Sequence, residues 1–272
     1  MLLYRTSQGP VVDHEGVFTL IPDEWNDLLN RDDLPAYLAG AISCGIPVTE
    51  LAPLLSPVST QEIWAAGVTY FRSRTARMEE SKEAGGGSFY DRVYAADRPE
   101  IFFKAAPHRV AAPGGLMHLR RDSKWMVPEP ELTLVITRNG TIIGCTAGND
   151  LSCRDIEGEN PLYLPQAKSF KLSAAVGPAI KVGHEPLPPS TAISVVINRA
   201  GATVFTGETK LDQLKRTPAE LAGWLYKDND FPNGAFLMTG TGIVPGDEFT
   251  LALGDEVRIT IDGIGTLVNI MG

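Results

Sequence analysis

The chain has 272 residues, of which 43% are hydrophobic and 21% are charged, so its composition is that of an ordinary globular protein with a sizeable core. Its formal net charge is −9, and its lysines and arginines form no long run. We therefore expect neither a nucleic-acid partner nor an anionic membrane surface as a partner. No signal-peptide pattern opens the chain, and the three cysteines are widely separated, which predicts reduced thiols in a cytoplasmic protein.

Residues 1–58 are predicted to form a small N-terminal α+β domain. "GVFTLI" is typical of a strand, and "DEWNDLLN" and "DLPAYLAGAI" are typical of two helices, the second with Pro35 in its first turn. The Pro- and Ser-rich stretch "PLLSPVST" at 53–60 reads as a linker. Residues 59–272 are then predicted to form a second, larger domain.

The second domain is predicted to be rich in strands. "EIWAAGVTY" and "EIFFKAA" are strand candidates, and "LTLVIT-RNG-TIIGCT" and "AISVVIN-RAG-ATVFTGE" are hairpins. "TPAELAGWLYK" is a helix that begins with a capping box of Thr217 and Glu220. Three glycines followed by aromatic residues predict a lid at 85–98. Many hairpins and few long helices indicate a β-rich α+β fold.

The first of these hairpins carries three carboxylates. Glu129 and Glu131 share one face of a strand, because side chains alternate along it. If the hairpin turns on the two residues 139–140, Asp150 lies opposite Glu129 and points to the same face. A three-residue loop without a bulge would instead turn Asp150 away.

Three carboxylates at close range are unfavourable unless they are protonated or bind a cation. Oxygen ligands alone suit Mg²⁺ or Mn²⁺ rather than Zn²⁺. A solvated acidic strand face is the alternative, and it is the better explanation for an isolated Glu-x-Glu pair. The predicted register of Asp150 and the polar run "GNDLSCRD" favour a metal site.

Several ordered segments resemble the fumarylacetoacetate hydrolase superfamily: "EPELTLVI", "GNDLSCRDIEG", "AKSFKLSAAVGP" and "MTGTGIVP…GDEVRITIDGIGTLVN". The resemblance spans residues 61–272 and implies a mixed β-sandwich roll. It also implies that Glu129, Glu131 and Asp150 hold a divalent metal ion. Mg²⁺ is the expected ion, and Mn²⁺ or Ca²⁺ can substitute for it.

Two further segments are similar to the 2-keto-3-deoxy-D-arabinonate dehydratase branch: "GVTYFRSRTARMEES" and "YDRVYAADRPEIFFKAAP". That resemblance implies active-site roles for Glu100 and Lys168. Hydrolases of the superfamily usually place a histidine where this sequence has arginine, so the sequence favours a lyase. The alternatives are an acylpyruvate-type C–C hydrolase, a 2-oxoacid decarboxylase, and a protein whose metal ion only stabilises the fold.

The expected function is dehydration of a 2-keto-3-deoxy pentonate, of arabinonate or xylonate type, to 2-oxoglutarate semialdehyde. Arg72 and Arg74 are candidate ligands of substrate oxygens, because arginine forks bind carboxylates and hydroxyls. Ser169 and Thr241 could donate from hydroxyl or backbone groups, and Thr241 lies beside glycines. Family resemblance implies a homodimer or homotetramer.

Overall fold

The computed structural model of the chain describes residues 1–72 and 92–272, and strands dominate it. The strands are β1 (Leu2–Thr6), β2 (Gly9–His14), β3 (Val17–Leu20), β4 (Ile46–Val48), β5 (Glu62–Gly67), β6 (Glu100–Ala105), β7 (Val110–Ala111), β8 (Leu116–Met117), β9 (Met126–Val127), β10 (Pro130–Ile136), β11 (Ile142–Asp150), β12 (Ser152–Cys153), β13 (Ala174–Val182), β14 (Ala192–Arg199), β15 (Ala202–Lys210), β16 (Ala235–Met238), β17 (Glu256–Ile261) and β18 (Gly265–Met271). The α-helices whose bounds lie within the described residues are α1 (Trp25–Leu29), α2 (Leu34–Ala41), α3 (Arg154–Glu159), α4 (Leu164–Lys168) and α5 (Pro218–Leu225). The predicted β-rich α+β class is confirmed.

Two mixed sheets organise these strands. The larger runs in the order β4-β3-β2-β1-β13-β11-β10-β16-β5-β6, with β7 also paired to β13, and the smaller runs β15-β14-β17-β18-β8. The pairs β5–β16, β7–β13 and β8–β18 are parallel, and the other pairs in these two sheets are antiparallel. A separate short pair joins β9 to β12.

Apolar side chains bury both faces of the large sheet. Leu134 packs in one cluster with Ile193 of the smaller sheet. Val135, the next residue, packs in a second cluster with Leu28 and Leu38 of the helices α1 and α2. Because both faces are covered, the β10 sequence "LTLVI" is nearly continuous in apolar residues rather than alternating. The fold therefore has a layer of helices, a large sheet and a small sheet.

The N-terminal residues extend the large sheet. Strand β1 pairs with β13, placing Leu3 opposite Ile180, and β2, β3 and β4 follow outward from it. The two helices predicted here are confirmed. The division into domains at residue 58 stays a prediction.

Local sequence signals fix helix α5. The hydroxyl of Thr217 accepts a hydrogen bond of 3.2 Å from the backbone N–H of Glu220, and Pro218 is the first helical residue. The predicted helix start is thus confirmed, although the Glu220 carboxylate pairs with Arg216. Within the described ranges, no helix has the length and apolarity to cross a bilayer.

Candidate active site

The hairpin of β10 and β11 has the register that the sequence predicted. Glu131 lies opposite Gly148, which places Glu129 opposite Asp150. The backbone N–H of Asp150 donates a hydrogen bond of 3.0 Å to the carbonyl of Glu129. The three carboxylates therefore leave the hairpin on the same face.

The turn of this hairpin differs from the prediction. The N–H of Gly140 donates to the carbonyl of Thr137, and the N–H of Thr137 donates to the carbonyl of Thr141, both at 2.9 Å. The loop therefore comprises three residues, 138–140, and the predicted two-residue turn is wrong. Gly140 has φ +82°, the left-handed conformation that the last residue of such a loop requires.

A bulge restores the register that the longer loop would have shifted. Val135 lies opposite Gly144, whereas Ile136 lies opposite Ile142, so Ile143 is an extra residue in β11. A bulge of this kind adds one residue to one strand. The loop and the bulge each shift the pairing by one residue, in opposite directions, and Asp150 still meets Glu129.

The three carboxylates converge below the protein surface. One oxygen each from Glu129, Glu131 and Asp150 lies within 4.8 Å of the other two. The exposed fractions of these residues are 4%, 1% and 1%. Burial, followed by the charges of Asp150 and Glu129, raises the pKa of Glu131 well above its ordinary value. Such a set is stable in the ionised form only with cations close by.

Lys168 supplies one of these cations. It is the last residue of α4 and is fully buried. Its Nζ lies 2.8 Å from Glu129, 3.3 Å from Asp150 and 2.6 Å from the hydroxyl of Ser152. The structure therefore places Lys168 next to two of the three carboxylates, and its active-site role stays a prediction.

Two further cations were not predicted from the sequence. Lys104 Nζ lies 2.6 Å from Asp150, and Arg154 Nη2 lies 2.9 Å from Glu129. Burial lowers the pKa of Lys104, and the charge of Lys168 lowers it further, while Asp150 acts in the opposite direction. The sequence did hold signals for both: Lys104 shares a strand face with Glu100, and Arg154 lies in the polar run "GNDLSCRD".

The donor set fits a divalent metal ion. Glu131 accepts a hydrogen bond from the backbone N–H of Gly240. In the part of the chain that the structure describes, no cationic side chain pairs with Glu131, unlike Glu129 and Asp150. A divalent ion beside these three buried oxygens would supply the missing charge, and carboxylate oxygens are its usual ligands.

The sheet order explains why these residues meet. Strands β11, β10, β16, β5 and β6 are neighbours in the large sheet. Their pairing brings Asp150, Glu131, Gly240, Gly67 and Glu100 to one end of that sheet. A small cavity opens there. Its described lining residues are Ala66, Gly67, Val68, Phe102, Glu129, Glu131, Asp150, Arg154, Lys168, Gly240 and Thr241.

Glu100 lies beside this cavity, next to the lining residue Gly67 but outside the described lining itself. It is the first residue of β6 and pairs with Gly67 of β5. Its carboxylate folds over Gly67 so closely that a Cβ at Gly67 would collide with it. Phe102, two residues further along the same strand face, lines the cavity. Only glycine at position 67 allows the Glu100 carboxylate this approach.

The predicted substrate-binding residues occupy different places. Thr241 lines the cavity, and its hydroxyl accepts a hydrogen bond of 3.1 Å from the N–H of Ile243. Ser169 accepts a hydrogen bond of 2.9 Å from Arg109 and lies outside the described cavity lining. Arg72 is exposed and also lies outside that lining.

Two of the predictions fall wholly or partly on residues that the structure does not describe. Arg74 lies outside the described residues, and so does the 85–91 part of the predicted lid at 85–98. The substrate-binding roles and the lid stay predictions.

Comparison with known proteins shows what this chain is similar to. The family model for the C-terminal part of fumarylacetoacetate (FAA) hydrolase matches residues 63–271. The chain is 47% identical over 214 residues to a probable 2-keto-3-deoxyxylonate dehydratase of Haloferax volcanii, covering 78% of this chain and 73% of that protein. It is 42% identical over 217 residues to the 2-dehydro-3-deoxy-D-arabinonate dehydratase of Saccharolobus solfataricus, covering 79% and 73%.

A solved structure extends the similarity to the whole chain. The structure of a 2-keto-3-deoxy-D-arabinonate dehydratase complexed with magnesium and 2,5-dioxopentanoate superposes with a TM-score of 0.85 and 33% identity. The match covers 100% of this chain and 98% of that one. The resemblance inferred from the sequence segments is confirmed, and the chain belongs to the fumarylacetoacetate hydrolase family.

Proposed function

We propose that this protein is a Mg²⁺-dependent hydro-lyase that converts a 2-keto-3-deoxy pentonate into 2-oxoglutarate semialdehyde, which is 2,5-dioxopentanoate, and water. One observation carries the proposal: three buried carboxylates converge at a cavity in which the ammonium group of Lys168 lies among them. The similarity to dehydratases of two such sugar acids supports the same reaction class.

The proposed metal ligands are Glu129, Glu131 and Asp150. Their all-oxygen donor set favours a hard ion, and the similar solved dehydratase was complexed with magnesium. When bound, the ion supplies Lewis acidity to the oxygens of a 2-keto acid, which makes the protons at C3 more acidic.

The charges of the site favour an anionic substrate. The three cations Lys104, Lys168 and Arg154 equal the three carboxylates in number, although they contact only Glu129 and Asp150. A bound divalent ion would leave this group of charges positive, and a positive, buried site attracts the carboxylate of a keto acid. Thr241, at the cavity wall, is proposed to contact the substrate.

Two side chains are proposed to move the protons. Lys168 lies at the metal ligands, where as a neutral amine it can take the C3 proton and as an ammonium group it can hold the substrate carboxylate. Glu100, whose carboxylate packs against the cavity-lining residue Gly67, is proposed to protonate the hydroxyl that leaves C4. The C3–H and C4–O bonds break, a C3–C4 double bond forms, and water leaves. Two proton shifts, from C5 to C3 and from the C5 hydroxyl to C4, then give the aldehyde.

A product assay tests this function. The purified protein is incubated with Mg²⁺ and with the 2-keto-3-deoxy acids derived from D-arabinonate and D-xylonate. Dehydration yields one five-carbon aldehyde, C–C hydrolysis yields two fragments, and decarboxylation yields CO₂. We expect the aldehyde, and we expect none after treatment with chelator. Fragments or CO₂ as the main product would reject the dehydratase assignment.

We also propose that the chain works as a homodimer or homotetramer in the cytoplasm, as the family resemblance implies. The large sheet ends in β4 and β6, and the small sheet ends in β15 and β8. Strand edges that stay open invite unwanted pairing, and self-association is one way to cover them. Light scattering at micromolar concentration gives the oligomeric state, and a monomer would contradict this proposal.

A further inference from the structure

Arg216 is a buried arginine outside the catalytic cavity. Its guanidinium group donates hydrogen bonds to main-chain carbonyls just before Glu100. Its Nη2 donates a hydrogen bond of 2.6 Å to the carbonyl of Ala96, and its Nη1 donates one of 2.9 Å to the carbonyl of Asp97. Nη1 also pairs with Glu220 at 2.5 Å. Only 6% of Arg216 is exposed. A guanidinium held by several acceptors has one orientation, because its donors form a rigid planar fork.

The main chain beside Arg216 is attached to the same end of the large sheet as the active site. Leu214 forms an antiparallel bridge with Tyr70. The backbone N–H of Lys215 donates a hydrogen bond of 3.0 Å to the carbonyl of Thr69. The Thr69 hydroxyl donates one of 2.6 Å to the carbonyl of Thr239, which precedes the glycine that binds Glu131. The main-chain segment that carries Arg216 is therefore held in place next to the active site.

The chain between Arg216's acceptors and Glu100 is short and is held at further points. Asp97 and Glu100 are three residues apart. The guanidinium of Arg98 lies 4.6 Å from the ring centroid of Trp224 on helix α5. Lys215 Nζ donates to the carbonyl of Tyr94. The path by which the chain reaches β6 is thus set by residues 215–224.

We propose that Arg216 is a positioning residue for Glu100. By holding the carbonyls of Ala96 and Asp97, it fixes where the chain enters β6 and keeps the Glu100 carboxylate against Gly67 at the cavity wall. The proposal rests on the proposed function, in which Glu100 transfers a proton. Arg216 itself lies outside the described cavity lining, and its bonds to Ala96 and Asp97 reach Glu100 only along the main chain.

Kinetics of Arg216→Met give the first test. Methionine keeps much of the side-chain volume and removes every donor. We expect kcat to fall by about 10- to 100-fold, because a small displacement of a catalytic group has effects of that size. KM for the keto acid and the Mg²⁺ midpoint should stay unchanged, since the carboxylates and Lys168 keep their places. Arg216→Lys should restore part of kcat, because an ammonium group can still hold one carbonyl.

Arg199→Met is the matched control. Arg199 also pairs with a carboxylate, Asp255, and donates to a main-chain carbonyl, that of Thr250, but it lies on the small sheet. Its kcat should match that of the wild type. Where Arg216→Met fails to fold, Glu220→Gln weakens the same arrangement and should give a smaller effect in the same direction.

A double-mutant cycle asks whether Arg216 acts through Glu100. In the Glu100→Gln background, Arg216→Met should lower kcat by no more than about twofold, because the group that it positions is already lost. If the two penalties multiply instead, Arg216 acts independently of Glu100 and the proposal is wrong.

Amide hydrogen exchange supplies a readout that needs no turnover. Peptides covering residues 93–101 should exchange faster in Arg216→Met than in the wild type or Arg199→Met, while peptides of β10 stay unchanged. Unchanged exchange in 93–101 would overturn the proposal, whatever happens to kcat. A wild type without dehydratase turnover would reject the proposed function, and the exchange result alone would then decide whether Arg216 fixes this segment.

Discussion

Lys168 donates a hydrogen bond of 2.8 Å to Glu129, and both side chains are buried. The same ammonium group lies 3.3 Å from Asp150, so one cation contacts two of the three carboxylates that could bind a metal ion. Removing charges from water costs several kcal/mol per ion unless each finds a partner. The proposed proton-transfer group and the proposed metal ligands therefore form one electrostatic unit, and substitutions should separate their roles.

The first prediction concerns proton transfer. Lys168→Met and Glu100→Gln should each lower kcat by about 10²–10⁴-fold, the usual cost of losing a positioned acid or base. Neither change should weaken Mg²⁺ binding, because all three carboxylates remain. Steady-state kinetics at saturating Mg²⁺, together with calorimetric titration of the metal, measure the two effects separately. A near-normal kcat in both variants would place the chemistry on other residues.

The second prediction concerns the metal ligands. Glu131→Gln keeps the shape of the side chain but removes a charge beside the ion, so Mg²⁺ should bind about tenfold more weakly or worse. Excess Mg²⁺ should then recover part of the activity, whereas it should recover none in Lys168→Met. A ligand at 100 times its Kd stabilises a protein by about 2.7 kcal/mol, so thermal unfolding with and without Mg²⁺ reports the binding.

The matched control for this experiment is Glu208→Gln, which removes one carboxylate from the exposed face of strand β15. It should show the same stabilisation by Mg²⁺ as the wild type. A Glu131→Gln variant with that same stabilisation would mean that the three carboxylates do not hold the ion.

The sequence could predict which hairpin residues meet but not how the hairpin achieves it. The register of Glu129 and Asp150 was right although the assumed two-residue turn was wrong, because the bulge at Ile143 compensates for the longer loop. The bulge depends on long-range packing: a Cβ at Gly144 would collide with the main-chain carbonyl of Lys181 on β13. Residues far apart in sequence decide such a feature, so local turn chemistry alone cannot reveal it.

Site residues were predictable where strand alternation or family resemblance pointed to them. The predicted set was incomplete where the alternation was not traced along the whole strand. The alternation of side chains along "EIFFK" places Lys104 on the same face as Glu100. Tracing that face from Glu100 to Lys104 would have indicated the buried cation. The position of β1 beside β13 was not predictable, because it depends on pairing between residues such as Leu3 and Ile180. Single-sequence patterns indicate strands, but they do not name the partner of each strand.

The third prediction concerns the three cysteines, which the sequence predicts to be reduced thiols. Burial raises the pKa of Cys145 to about 12 and that of Cys153 to about 11, while Cys44 is exposed. The thiolate is the reactive form, so at pH 8 the two buried thiols should react slowly with a thiol reagent such as Ellman's reagent. We expect one rapidly reacting thiol per chain, none in Cys44→Ser, and three after denaturation. A second fast thiol in the native protein would contradict the buried placement.

The last prediction concerns Lys104, a buried cation that was not predicted from the sequence. Its ammonium lies 2.6 Å from Asp150 and donates to the carbonyl of Leu151 at 2.9 Å. Lys104→Met keeps most of the side-chain volume, but it removes one of the cations beside the buried carboxylate of Asp150. Breaking a buried ion pair by removing one partner costs about 3–5 kcal/mol, because the remaining charge loses its compensation. We expect a loss of this size in the free energy of unfolding of the metal-free protein.

Mg²⁺ should reduce this loss in the free energy of unfolding. Comparing the loss with and without Mg²⁺ shows whether it comes from the uncompensated charge of Asp150. If Asp150 binds the ion, the ion replaces part of the positive charge that Lys104→Met removes, so unfolding in Mg²⁺ should show a smaller difference from the wild type than unfolding in chelator. Urea unfolding in both buffers measures the two differences. Lys171→Met, which removes an exposed lysine three residues after Lys168, should change stability by less than about 0.5 kcal/mol in either buffer. Equal losses for Lys104→Met with and without Mg²⁺ would show that Lys104 acts through its bonds to main-chain carbonyls, and that Asp150 gains no charge compensation from a metal ion.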